Sequence, residues 1–363
     1  MRTRITAIGY VLALAIFILF FSSLCEAGTD ELDREIKLAD KVSEQVEKQW
    51  DRVTDPVRVA RVTLLLSRLT PFTERDLSYE VRLVEEKRPN AFALPGGRIY
   101  MTTGMLEFCR SDDEIASILA HELVHTDRKH GMIQSSRNQR LTLGALAVII
   151  ATGGSGAAPI LANLAQVAIM NSYSKDLERE ADTEGLNILS QSGYEPAGAV
   201  TVMERLQEEE MKRPYVDPGI YADHPKTKDR VRSLEDIIRE KGWPLERKKA
   251  LRLLRVQTSE EGGSILLSID GKLLWRAPKV EGATELMNKA AGSLDKYLQM
   301  ETSPYDISIQ ETHGQKALRV GLGVIAYQKD LLPGMPSLEE FRESILLSLN
   351  RARMIHPVAD YNR

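Results

Sequence analysis

Two histidines and a glutamate in one short segment have the residue types and spacing of a metal site. The segment His121-Glu122-Leu123-Val124-His125 has the pattern H-E-x-x-H. On a helix, residues four apart share a face, so both imidazoles can reach one ion. Glu122 lies about 100° round the helix from His121, where it can take a proton from an attacking water. The pattern therefore predicts metal-assisted hydrolysis.

A second, acidic segment can supply a third ligand. In Leu177-Glu178-Arg179-Glu180-Ala181-Asp182, the residues Glu178 and Asp182 are four apart and share a helix face. One of these carboxylates can bind the metal while the other accepts a hydrogen bond from a ligand imidazole. Glu180, which lies on a different face from Asp182, is a competing ligand. Two histidines and one glutamate form a standard catalytic zinc set with a fourth position open, so we expect one Zn²⁺ per chain.

The helix that carries the histidines has clear start and stop signals. Ser111 and Glu114 have the spacing of a capping box, and Gly131 is the predicted end of the helix. His130 is interpreted as a charge partner at this helix end.

Ahead of this helix we expect two amphipathic helices within residues 29–70, broken near Asp55-Pro56, and then three short strands. The predicted strands are 77–86, 90–94 and 98–102.

Residues 141–170 form the most apolar interior stretch, and each of its halves is too short to cross a bilayer. A buried helical hairpin is the simpler interpretation, and a lid or membrane-dipping element over the active site is the alternative. The second half is predicted to continue as one helix through Glu178 to about Ser190.

A composition shift near Trp243-Pro244 sets a predicted domain boundary at about residue 245. Beyond it, the pattern ββα occurs twice, in a small α/β accessory domain of residues 246–363. The predicted hairpins are 264–277, turned at Asp270-Gly271, and 307–327; the predicted helices are 281–300 and 337–351. The expected fold class is α+β, with a mostly helical domain over 28–245 that contains a small antiparallel sheet.

Composition and the N-terminal segment bear on location. The chain has 363 residues and a net charge of −4, which argues against a nucleic-acid partner. Basic Met1–Arg4, an apolar run over 5–21 and a small-residue site ending at Ala27 are typical of a signal peptide, with an N-terminal membrane anchor as the alternative. Either one places residues 28–363 outside the cytoplasm, in the periplasm or attached to a membrane. Removal of residues 1–27 would leave Cys109 as the single cysteine.

Four blocks resemble the HtpX/BepA-type gluzincin zinc metallopeptidases, which are relatives of the CAAX prenyl protease. The blocks are N-A-F-A-L-P-G-G-R-I-Y-M-T-T-G (90–104), H-E-L-V-H-T-D-R-K-H (121–130), S-K-D-L-E-R-E-A-D (174–182) and D-H-P (223–225), with Arg230 close behind. The resemblance covers about residues 30–240. It implies a zincin-type peptidase domain that acts on a protein or peptide in extended conformation.

The resemblance also implies roles for single residues. Glu178 corresponds to the family's third zinc ligand. Asp182 corresponds to the carboxylate that binds a ligand histidine at the ring nitrogen that does not contact the metal. His224 corresponds to the histidine of the family's His-Pro block. That histidine acts as a transition-state contact or as an added metal ligand that keeps the enzyme latent.

The strand that contains Asn90, Ala91 and Phe92 resembles the edge strand that lines the substrate cleft in this family. Arg230 is a weaker candidate for the same neighbourhood as His224.

Together these features predict a zinc endopeptidase that hydrolyses peptide bonds of envelope or misfolded proteins, with Glu122 as the base. A periplasmic chaperone or assembly factor with latent protease activity is the alternative. A zinc-free binding module that uses the same fold is a third hypothesis.

Overall fold

A computed structural model describes residues 32–33, 35–139, 157–169, 173–212, 227–312 and 314–356. The chain divides into two compact units, residues 1–194 with 210–230 and residues 195–209 with 231–363. The predicted boundary near 245 lies within the second unit. The segment 1–27, predicted to be a signal peptide or anchor, lies outside the described residues. Among the described helices, none combines the length and apolar character needed to cross a membrane.

The described helices and strands occur in groups along the chain. The helices are α1 (35–49), α2 (Pro56–Leu69), α3 (Thr103–Phe108), α4 (Asp112–Asp127), α5 (His130–Gln139), α6 (Ala157–Ile169), α7 (Lys175–Gln191), α8 (Ala197–Lys212), α9 (Thr227–Glu240), α10 (Arg247–Leu251), α11 (Ala283–Tyr297) and α12 (Leu338–Ile355). The strands are β1 (Glu80–Val84), β2 (Ala91–Leu94), β3 (Arg98–Thr102), β4 (Val256–Glu261), β5 (Ser264–Ile269), β6 (Lys272–Pro278), β7 (Ile307–Thr312), β8 (Gln315–Val320) and β9 (Gly323–Tyr327).

The first unit contains a three-stranded sheet in the order β1-β3-β2. β1 pairs in parallel with β3, and β2 pairs in antiparallel fashion with β3, with Phe92 opposite Tyr100. These two rings stack in the core with 5.2 Å between centroids. Helices α1 and α6 contribute to this core through Val42, Val46 and Ala168. The edge strand β2 thus packs through Phe92 against a core formed by the sheet and these two helices.

The predicted break between the first two helices is confirmed. Asp55 is the N-cap of α2, and its carboxylate accepts hydrogen bonds from the backbone N–H groups of Val57 and Arg58 at 2.8 and 3.1 Å. Pro56 occupies the first helical turn, where its missing N–H costs nothing.

The predicted end of the histidine helix at Gly131 is wrong. α4 ends at Asp127, and a second helix, α5, begins at His130. Lys129 between them has φ +57°, in the left-handed region, which turns the chain before it becomes helical again. Gly131 fits a helix terminus by residue type, but here it lies inside α5.

The predicted single helix leading into Glu178 is also wrong. α6 ends at Ile169, and α7 begins at Lys175 after an extended Ser174. Residues 140–156, the first half of the predicted apolar hairpin, lie outside the described residues.

The second unit contains two antiparallel three-stranded sheets, β4-β5-β6 and β7-β8-β9. α11 follows the first sheet and α12 follows the second, and Trp275 stacks on Phe341 at 4.4 Å within one shared core. The predicted ββα pattern is therefore wrong by one strand in each half. β4 has exposed polar side chains along nearly its whole length, so it lacks the apolar alternation that marks a strand. The predicted α+β fold class is confirmed.

Candidate active site

Helix α4 places His121 and His125 side by side. The Ser111 hydroxyl accepts the backbone N–H of Glu114 at 3.2 Å, which fixes the start of the helix. One turn separates the two histidines, and their Nε2 atoms lie 3.1 Å apart. His125 is buried, so its imidazole is held in one place by the surrounding side chains.

Helix α7 packs against α4 and brings in Glu178. One oxygen of this buried carboxylate lies 3.6 Å from His121 Nε2, and the other lies 3.7 Å from His125 Nε2. Ligand atoms of the three residues all lie within 4.8 Å of one another. Two imidazole nitrogens and a carboxylate oxygen that converge in this way fit a zinc ion with one open position.

A glycine allows the two helices to approach so closely. A Cβ built on Gly185 of α7 would lie 3.3 Å from the Cα and N of His121 on α4. Any larger residue would press on the backbone of a predicted ligand. The absence of a side chain beyond hydrogen at position 185 therefore permits the close approach of α7 to the backbone of His121.

Glu122 is buried beside this cluster. Burial is the main cause that raises the pKa of Glu122 to about 8; the charge of Glu178 acts in the same direction, and His121 and Arg230 oppose it. The backbone N–H of Ala93 also acts on the carboxylate and opposes the rise in its pKa. Its Oε2 atom is buried and, among the described residues, has no hydrogen-bond partner. A buried carboxylate with a raised pKa next to a metal site is suited to accept and return a proton.

Asp182 lies behind His121, one turn beyond Glu178. Its Oδ1 is 3.1 Å from His121 Nδ1, the nitrogen that points away from the cluster. Arg230 binds the same carboxylate at two points, with Nη2 to Oδ1 at 2.6 Å and Nε to Oδ2 at 3.2 Å. Burial opposes ionisation, but Arg230 and His121 outweigh it and hold the pKa of Asp182 below its usual value.

Arg230 therefore lies within the cluster, whereas the sequence indicated it only as a weaker candidate for the active-site neighbourhood and for substrate binding. Its guanidinium is buried, and its Nη1 is 3.6 Å from Glu178. A substrate-binding role for Arg230 stays a prediction.

The strand β2 lies at the edge of its sheet. The Thr102 N–H donates to Asn90 O at 2.9 Å, so alternation along the antiparallel pair turns the main-chain groups of Phe92 towards β3 and those of Ala91 and Ala93 away from it. The Phe92 side chain is buried, and Asn90 Nδ2 donates to Ile169 O at 2.9 Å. Of the three substrate-binding residues predicted on the strand 90–94, Ala91 thus has its main chain on the outer edge.

Other predicted residues are more distant or outside the described part. His224 lies outside the described residues, and its role stays a prediction. Glu180 is half-exposed and lies within 3.6 Å of Arg128 and His130, not within the cluster that includes Glu178. Cys109 is buried at the end of α3.

Sequence reasoning missed two residues that hold the site. Tyr173 stacks on the ring of His125, with 4.0 Å between centroids and 20° between planes. The Thr126 hydroxyl donates to Leu94 O at 2.8 Å and accepts the Gly97 N–H at 2.9 Å, which ties α4 to both sides of the β2–β3 turn. Neither residue belongs to a metal motif; position 126, directly after a predicted ligand, is the one available signal.

Comparison with known proteins gives a family and several relatives. The sequence profile of peptidase family M48 matches residues 56–238. The mitochondrial metalloendopeptidase OMA1 of Schizosaccharomyces pombe is 29% identical over 168 residues, which cover 46% of this chain and 48% of the relative. OMA1 of Saccharomyces cerevisiae is 30% identical over 163 residues, 44% of this chain and 46% of the relative.

A bacterial relative matches a longer stretch. The beta-barrel assembly-enhancing protease of Escherichia coli K12 is 25% identical over 245 residues, which cover 64% of this chain and 48% of the relative. The chain thus spans about half the length of the curated relatives that it matches. The matched profile includes α4 and α7, the two helices that carry the cluster.

Proposed function

Because the chain belongs to peptidase family M48, we propose that it is a zinc-dependent endopeptidase that hydrolyses peptide bonds of envelope or misfolded proteins. The observation that carries the proposal is the convergence of His121, His125 and Glu178, with Glu122 buried beside them. A zinc ion bound there supplies a Lewis acid that polarises the scissile carbonyl and lowers the pKa of a water molecule. Two neutral imidazoles and one carboxylate are the protein's contribution to holding it.

Glu122 carries the proton chemistry in this proposal. Its carboxylate takes a proton from the attacking water and delivers it to the amine that leaves. Burial of Glu122 beside the cluster raises the pKa of its carboxylate to about 8, which suits it to hold and return this proton. His224 is proposed either to stabilise the developing oxyanion or to occupy the open position at rest.

An extended peptide is the proposed form of the substrate. The outer edge of β2 runs alongside Glu122, as the contact from Ala93 indicates. A peptide that adds to this edge as a further strand would present its carbonyl groups near the base. This supports recognition of unfolded or locally extended segments in the substrate.

We propose an extracytoplasmic location, through a signal peptide or N-terminal anchor in residues 1–27. The name of the bacterial relative, a beta-barrel assembly-enhancing protease, supports envelope proteins as substrates. The word assembly in that name also supports a second function, that of an assembly factor, for which we propose that proteolysis is latent.

The substitution Glu122→Gln tests the proposal. The variant should bind one zinc per chain and should not cleave an unfolded protein such as casein, because the amide accepts no proton from water. Glu184→Gln, a change of the same kind on α7, should leave cleavage unchanged. A Glu122→Gln variant that cleaves at the wild-type rate would contradict the mechanism. Full rescue of a null strain by this variant would favour the assembly function.

A further inference from the structure

His125 has an imidazole as the partner of its outer nitrogen. The Nδ1 atom of His130 lies 3.0 Å from the Nδ1 atom of His125, and the two rings are nearly perpendicular, at 79°. His130 is fully buried. Tyr173 stacks on His125, so the ring of His125 is held in place by two other rings.

A residue in the left-handed conformation, between α4 and α5, brings His130 into this contact. Residues five apart on a continuous helix point about 140° away from each other. The left-handed conformation of Lys129 interrupts the helix after α4 and returns His130 to the side of His125. A non-glycine residue in this conformation has a conformational cost, so the turn is a specific feature of this segment.

The position of His125 determines which atoms carry the protons. Its Nε2 faces His121 and Glu178, so this nitrogen must keep its lone pair for a metal. A neutral imidazole then has its proton on Nδ1, which makes His125 the donor and His130 Nδ1 the acceptor. The proton of His130 is consequently on Nε2, which lies 3.5 Å from a carboxylate oxygen of Glu180.

We propose that His130, which lies beside the charge of Glu180, is a positioning residue that fixes the ring and the tautomer of His125 for metal binding. The proposal rests on the zinc site of the proposed function. His130 does for His125 what Asp182 does for His121, since each accepts the Nδ1 proton of one ligand. Partners of this kind raise the basicity of a ligand and remove the entropy of orienting it.

Glu180 has a defined place in this arrangement. The carboxylate is half-exposed and also lies 3.6 Å from Arg128 Nε. Its charge can thus favour the proton on His130 Nε2 from 3.5 Å without the cost of a fully buried charge, although this nitrogen makes no hydrogen bond within the described residues. Glu180, which the sequence suggested as a rival ligand, therefore does not contact the metal. It acts on the metal site indirectly, through the imidazoles of His130 and His125.

The test measures the zinc dissociation constant of the full chain by competition with a chromogenic chelator. His130→Phe keeps a ring but removes the acceptor, and we expect it to weaken zinc binding about 10- to 100-fold. His130→Asn places an amide oxygen where Nδ1 was, so it should retain most of the affinity. Glu180→Gln should weaken binding more than its matched control on the same helix, Glu184→Gln.

A second readout separates positioning from packing. With Co²⁺ in the site, His130→Phe should change the visible absorption bands, whereas His130→Asn should preserve them. Wild-type affinity in His130→Phe would overturn the proposal, and so would equal weakening in His130→Phe and His130→Asn. If His130→Phe does not fold, the comparison of His130→Asn with wild type and of Glu180→Gln with Glu184→Gln decides.

Failure of the zinc site itself gives a different result. Wild-type protein without zinc, or Glu178→Ala with one zinc per chain, would contradict the ligand set on which the proposed function depends. One zinc in wild type, lost in Glu178→Ala, combined with unchanged affinity in His130→Phe, would contradict only the role of His130.

Discussion

Asp182 and Arg230 form a buried two-point ion pair directly behind His121, a proposed metal ligand. Arg230 also approaches Glu178, at 3.6 Å, so one guanidinium lies beside two carboxylates. A bidentate contact of this kind fixes the carboxylate plane as well as its charge. The orientation of His121 thus depends on a residue more than 100 positions away in the sequence.

Asp182→Asn should weaken zinc binding about 10- to 100-fold. The amide is a poorer acceptor for His121 and carries no charge for Arg230. The guanidinium would then turn to its other nearby carboxylate, Glu178, and compete with the metal for it. Chelator competition on the purified chain measures the effect.

Asp176→Asn is the matched control, since Asp176 lies on the same helix and its ion pair with Arg137 is exposed. An exposed pair of this kind contributes little to stability, so this variant should bind zinc as wild type does. Equal affinities for the variants at positions 176 and 182 would show that Asp182 does not support the site.

Gly185→Ala should reduce zinc affinity about tenfold, because small displacements of site residues have large effects. The added methyl group would press on the backbone of His121 and move α7 away from α4 by a few tenths of an ångström.

Gly292→Ala is the comparison, since Gly292 lies in α11 with open space around its Cβ position. There the substitution should raise stability by about 0.5–1 kcal/mol, the ordinary gain of alanine in a helix. Thermal unfolding and zinc titration of both variants separate the two effects, and unchanged zinc affinity in Gly185→Ala would contradict the close-approach argument.

The sequence predicts the cluster well because its geometry is local. His121 and His125 are one helical turn apart, and Glu178 and Asp182 are one turn apart, so helical periodicity alone puts each pair on one face. The capping signal of Ser111 likewise acts within four residues.

The parts that the sequence does not predict depend on the third dimension. Nothing local in the sequence distinguishes Tyr173 from an ordinary core aromatic residue, and it becomes part of the site only because α7 packs on α4. Lysine rarely adopts a left-handed conformation, so Lys129 gives no turn signal in the sequence. The end of α4 and the new direction of the chain at His130 are therefore not predictable from the sequence. The polar strand β4 was missed because its pairing with β5, and not its side chains, defines it.

A buried polar cluster in the second unit connects three helical segments. Glu204 of α8 accepts hydrogen bonds from Arg247 of α10 at 2.7 and 3.0 Å, and its other oxygen lies 3.0 Å from Nε2 of His356, which follows α12. Glu301 and Glu235 also contact Arg247. Burial disfavours the charge of Glu204, but His356 and Arg247 outweigh it and lower the pKa of Glu204 below its ordinary value of 4.5.

This lowered pKa predicts acid sensitivity of the second unit. The unfolded chain binds a proton at Glu204 at a higher pH than the folded chain does, so the stabilisation is complete above about pH 4.5 and is lost as the pH falls through the folded-state pKa. In that window the free energy of unfolding should decrease by up to about 1.4 kcal/mol per pH unit for this one proton. Glu204→Gln should be less stable at neutral pH and should show a flatter decline below pH 4.5, whereas the exposed Glu281→Gln should follow wild type. Calorimetric melting of the three proteins between pH 3 and 7 gives the slopes, and a Glu204→Gln slope identical to that of wild type would show that the titration of Glu204 is not linked to folding.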